Sequence, residues 1–127
     1  MGIDPSSVNV RDLRITSPNR SGPGGDQVGT PTAVGSGLEA CFTQENRLLR
    51  RPRGRDVISL GRFFVNPFYD AVGDLVAIEP GFLAQWTDAF GSLVEPQEIV
   101  DVQPITDCTG ALDIVSFSVG RTYQAGA

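Results

Sequence analysis

The stretch ALDIVSFSVGR (residues 111–121) decides the fold. Val115, Phe117 and Val119 fall on one side of a two-residue period, and Ile114, Ser116 and Ser118 fall on the other. Such alternation predicts a strand with one apolar face and one wet face. Ahead of it stands the turn sequence TDCTG (106–110), and ahead of that QEIVDVQP (97–104), which also reads as a strand. DVISLGRFFV (56–65) is apolar on both faces over much of its length, which predicts a central strand covered on both sides. Its β-branched and aromatic residues, with Gly61, disfavour a helix there.

Further out the signals continue. LVAIEP (75–80) reads as a short strand stopped by Pro-Gly, after the turn NPFYDAVGD. EACFTQENRLLR (39–50) is extended and leads into the turn Arg51-Pro52-Arg53-Gly54. In VNVRDLRIT (8–16) the apolar phase runs through Val8 and Val10, slips at Arg11-Asp12, and resumes at Leu13 and Ile15, as at a β-bulge. FLAQWTDAFG (82–91) fits either a short helix or a hairpin turning near Thr87-Asp88. The whole predicts an all-β fold, a small antiparallel barrel or sandwich of about six or seven strands. Phe63, Val65, Val76, Ile78, Ile99, Val102, Val115 and Phe117 are its expected core. The aromatics Phe63, Phe64, Phe68, Tyr69, Phe82, Trp86 and Phe90 read as core too, since large rings bury readily.

Between the first two strands lies SPNRSGPGGDQVGTPTAVGSG (17–37), in which 12 of 21 residues are Gly, Pro or Ser. Such a composition buries too little apolar area to offset backbone entropy, and predicts one long flexible loop or arm. The 127 residues otherwise form one domain. No run of 18 apolar residues is present, which excludes a helical membrane span. The amino terminus lacks the basic flank and apolar centre of a secretory signal, so synthesis in the cytoplasm is expected.

The chain has no histidine, and all ten basic residues are arginine. The commonest acid–base group and metal ligand is therefore missing, which removes histidine-dependent hydrolases. Carboxylate pairs such as Asp70/Asp74 and Glu95/Glu98 sit beside Gly and Pro, where turn geometry accounts for them. Gly22, Gly24 and Gly25 lack the Lys-Ser/Thr of a phosphate loop. Cys41 and Cys108 read as free thiols. We therefore expect no enzyme, no catalytic residue, no cofactor and no metal site.

Charge is unevenly spread: residues 1–55 carry a balance of +3 and residues 56–127 a balance of −8. The acidic half is unsuited to gripping phosphates. The densest positive cluster is Arg47, Arg50, Arg51, Arg53 and Arg55, the candidate partner interface, because arginine forks pair well with carboxylates.

One layout stands out between residues 53 and 120. Gly54-Arg55-Asp56-Val57-Ile58-Ser59 leads to Arg62-Phe63-Phe64-Val65 and then to Val72-Gly73-Asp74-Leu75-Val76-Ala77-Ile78. After the 82–91 insertion come Pro96-Gln97-Glu98-Ile99-Val100-Asp101-Val102, residues 107–110, and Asp113-Ile114-Val115-Ser116-Phe117-Ser118-Val119-Gly120. This order of strands and turns resembles the small head-completion, or head-to-tail stopper, proteins of long-tailed bacteriophages. The long Gly/Pro-rich segment and the 82–91 insertion depart from the family layout.

The resemblance implies a structural protein of the virion neck. It would form a homo-oligomeric ring between the portal or adaptor and the tail, retain packaged DNA and provide the tail docking surface. Double-stranded DNA would pass through its channel without specific binding, and no membrane would be involved. Competing readings are a capsid decoration or tail-completion protein and, in a different class, an OB-like nucleic-acid or carbohydrate-binding module.

Overall fold

A computed structural model describes residues 2–18, 32–49 and 57–122. Its elements are a 3₁₀ turn at Pro5–Ser7 and the strands β1 (Val10–Ser17), β2 (Thr32–Leu49), β3 (Val57–Val65), β4 (Leu83–Gln85), β5 (Gln97–Thr106) and β6 (Leu112–Thr122). All pairings are antiparallel, and the order β1-β2-β3-β6-β5-β4 closes on itself as a barrel. Closure depends on the three-residue β4, which pairs with β1 through Ala84↔Ile15 and with β5 through Leu83↔Glu98.

The phase slip at Arg11-Asp12 is a register shift between Val10 and Leu13, and Val10, Leu13 and Ile15 are all buried. Further shifts place one extra residue on β2 between Gln44 and Arg47, on β3 at Leu60, and on β5 at Val100. Such bulges sharpen strand twist, which lets a few strands curl into a small barrel.

Inside, Phe63 and Phe117 stack at 5.2 Å between ring centroids, and Trp86 meets Phe63 edge-on at 4.8 Å. Phe42 completes the cluster, 4.6 Å from Phe63 and 5.2 Å from Trp86. Val10, Leu13, Ile15, Val65, Ile99 and Val119 surround it. Each large apolar side chain fully buried here stabilises the fold by roughly 1.5–3 kcal/mol.

Several expectations change. Thr32 to Gly37 lie in β2 rather than in a loop, and Ser17 pairs with Thr32, because β1 offers this Gly-rich stretch a hydrogen-bonding partner. Residues 19–31 of the expected arm lie outside the described residues. Residues 75–80 form no regular strand; Leu75 makes a single bridge to Tyr69, and Ile78 drops into the core. Val76 and Val102 are half-buried, while the other six expected core residues are buried. Of the seven aromatics, Tyr69 and Phe90 are exposed. The 82–91 segment is a hairpin, with Val94 N–H donating to the Trp86 carbonyl and Thr87 bridging Leu93.

The face of β6 expected to be wet is covered: Ser116 and Ser118 are buried. Arg62, opposite Ser118 on β3, donates to Ser116 Oγ at 2.5 Å and reaches Asp101 Oδ2 on β5 at 3.3 Å. Arg62 is half-buried, and its guanidinium thereby links β3 to both β6 and β5.

Candidate interaction surfaces

Three hairpin turns share one construction. Asp70-Ala-Val-Gly73-Asp74, Asp88-Ala-Phe-Gly91-Ser92 and Asp107-Cys-Thr-Gly110-Ala111 each begin with Asp and carry Gly three residues later. In each, the Asp Oδ1 accepts the N–H groups two and four residues on, at 2.8–3.1 Å. The Gly N–H donates to the Asp carbonyl, and the Asp N–H to the carbonyl four residues on. Gly73, Gly91 and Gly110 have φ of 91°, 82° and 86°, a region that strains other residues. The frame is therefore a type I turn closed by a left-handed glycine.

The third position of that frame points outward. Phe90 is 94% exposed and Val72 is 82% exposed, with Leu93 and Tyr69 exposed beside them. A frame of four backbone and carboxylate hydrogen bonds thus presents two apolar side chains to solvent on fixed supports. The D-A-x-G spelling at 70–73 and 88–91 is visible in the sequence; the outward direction of its third residue is not.

The two tips leave opposite ends of the barrel. Residues 66–82 depart from Val65, which pairs with Val115 at the start of β6, and Phe68 lies over Gly35. The 88–92 hairpin stands at the other end, where a cleft of about 480 Å³ is lined by Asn9, Val10, Phe42, Gln44 and residues 86–90. A second hollow of about 250 Å³ shares Phe42, Gln44, Trp86 and Asp88 with it and reaches Leu60 and Val119.

Asp12 fastens this hairpin to β1: its Oδ1 accepts Thr87 N–H at 3.1 Å and its Oδ2 accepts the Thr87 hydroxyl. The hydroxyl, then the N–H, hold the Asp12 carboxyl below its ordinary value. Asp107 is lowered in the same way by the Thr109 hydroxyl and N–H. Asp4 caps the 3₁₀ turn through Ser6 N–H, which lowers it too.

Of the arginine cluster, Arg47 is exposed on β2 opposite Ser59. Arg50, Arg51, Arg53 and Arg55 lie outside the described residues. Cys41 is half-buried, Cys108 is exposed, and both are free thiols. Among the described residues no group of His, Cys, Asp or Glu could hold a metal ion, and no helix is long and apolar enough to cross a membrane. Comparison with family models, curated proteins and solved structures finds no match to this chain.

Proposed function

We propose that this chain is a structural protein of a tailed-phage neck. It forms a ring tier between the portal or adaptor and the tail, retains packaged DNA and offers the tail a docking surface. The observation that carries the reading is the placement of exposed apolar tips, Val72 and Phe90, at opposite ends of one barrel. A tier in a stack needs contacts above and below, and rigid apolar anchors are the usual source of binding energy at such contacts. The excess of acid in residues 56–127 suits a surface that DNA passes without sticking, because like charges repel. The arginines at 47, 50, 51, 53 and 55 are the candidate contact with an acidic neighbour.

The test is the position of the chain in particles. Labelled chain at the head–tail joint, with leaking or tailless heads when its gene is disrupted, supports the reading. Label elsewhere, or normal tailed particles without the chain, rejects it.

A further inference from the structure

We infer that the cleft beside the Phe90 hairpin binds an arginine side chain of the protein that docks at this end of the barrel. The site deepens the neck reading by giving the chemistry of one contact, and it rests on that reading only for its place in a particle. Phe42, Gln44, Trp86 and Asp88 line both the cleft of about 480 Å³ and the adjoining hollow of about 250 Å³, so they stand where the two meet. With Phe90 they place three aromatic rings, a carboxylate and an amide along one opening. Aromatic faces beside a carboxylate are a means of holding an organic cation.

Nothing among the described residues answers that charge. No basic side chain of theirs lines either hollow. Arg11, next to Val10, is paired with Glu39 at 3.4 Å, and Arg47 stands opposite Ser59 on β3. Asp88 Oδ1 accepts the N–H groups of Phe90 and Ser92, whereas Oδ2 receives no hydrogen bond from the described residues. Asn9 is spent on the Phe42 backbone and the Thr87 hydroxyl on Asp12, which leaves the Gln44 amide open. An anion would meet the charge of Asp88, and a neutral apolar group would desolvate that carboxylate without pairing it. A guanidinium avoids both costs: it stacks on aromatic rings while its fork donates to carboxylate and amide oxygens together. Phe90, 94% exposed on its stiff turn, favours an arginine carried by a protein. A free cation would fill the hollow and leave that ring in solvent, whereas a docked surface covers both, and aromatic residues and arginine are the usual anchors of such surfaces. Only the Phe90 end is used, so the Val72 end stays free for the contact on the other side of the tier.

Trp86 is the only tryptophan of the chain, so its fluorescence reports on the site. Titration of the purified chain with N-acetyl-arginine-methylamide should give a saturating change, with amide shifts in heteronuclear NMR centred on Phe42, Gln44 and residues 86–90. The citrulline analogue, neutral and of the same shape, should bind roughly fivefold more weakly or worse. Asp88→Asn keeps a turn-forming side chain and removes the charge, and it should weaken arginine binding to a similar degree. No saturating response, equal binding of the citrulline analogue to the native chain, or shifts centred outside the cleft overturns the site. So does undiminished binding by a folded Asp88→Asn variant. In particles, chain with Phe90 replaced by p-benzoylphenylalanine should crosslink on irradiation to an arginine-containing peptide of a different protein. Crosslinks to a second copy alone, or to no protein, overturn the occupant. The titrations use the purified chain alone, so their failure with correct placement at the neck leaves the neck reading standing. Arginine binding with label elsewhere in the particle removes only the neck reading.

Discussion

The ring of Phe42 on β2 lies over Gly61 on β3, filling the space that a side chain at residue 61 would occupy. The glycine lets Phe42 reach Phe63 and Trp86 and close the aromatic cluster. Gly61→Ala should therefore destabilise the barrel by roughly 1–3 kcal/mol through overpacking. Denaturant melts measure this, and an unchanged midpoint would show that the ring shifts freely.

Phe117 is fully buried and stacks on Phe63. Phe117→Ala should cost roughly 3–5 kcal/mol, as ring deletion in a closed core leaves a cavity. A loss below 1 kcal/mol in the same melts would place Phe117 outside the cooperative core.

Arg62 donates to buried Ser116 on β6 and to Asp101 on β5. Arg62→Ala should cost about 1–3 kcal/mol, because Ser116 loses its donor and Asp101 its partner. Arg62→Lys should recover only part, since an ammonium lacks the fork that spans both groups.

The Asp12–Thr87 link gives a pH dependence. Asp12 is depressed in the folded chain by the Thr87 hydroxyl and N–H. A depressed folded value contributes stability above the unfolded value, and that contribution is lost as pH falls through the folded value. Asp12→Asn keeps an acceptor for the N–H but cannot accept the hydroxyl proton at its amide nitrogen. The native chain should be more stable than this variant at neutral pH, and the margin should shrink as pH drops below about 4. A margin constant from neutral pH to pH 2 would mean that the carboxylate charge contributes nothing.

The arginine cluster is tested under the proposed neck role. Changing Arg50, Arg51 and Arg53 together to Glu should leave the chain folded by circular dichroism and block its incorporation. Single exposed ion pairs contribute only about 0–1 kcal/mol, but converging arginine forks set orientation. Normal tailed particles from the triple variant would leave the cluster without a contact role.

Hydrogen exchange separates the Gly-rich segment into parts. Ala33 and Gly35 belong to the β1–β2 ladder, opposite Thr16 and Ile15, so amides from residue 33 to 37 should exchange more slowly than an unpaired segment would. Exchange there at the free-peptide rate would dissolve the start of β2.

The sequence by itself determined what depends on near neighbours. The two-residue period of Val115, Phe117 and Val119, the slip at Arg11-Asp12 and the Asp-to-Gly turns are all local. Each follows from backbone sterics and the pleat, which act over a few residues. Only the tertiary structure decided what depends on register between distant strands. Ser116 and Ser118 share the polar side of their strand, yet both are buried, and Arg62, more than fifty residues earlier, donates to Ser116. Phe90 and Trp86 are both aromatic residues of one hairpin, and closure through β4 buries the second while leaving the first in solvent. The arginine cluster was legible as charge, whereas the apolar tips and the cleft were not. A tip becomes a contact surface only when barrel closure fixes which end it leaves from, and that geometry is set by non-local pairing and bulges.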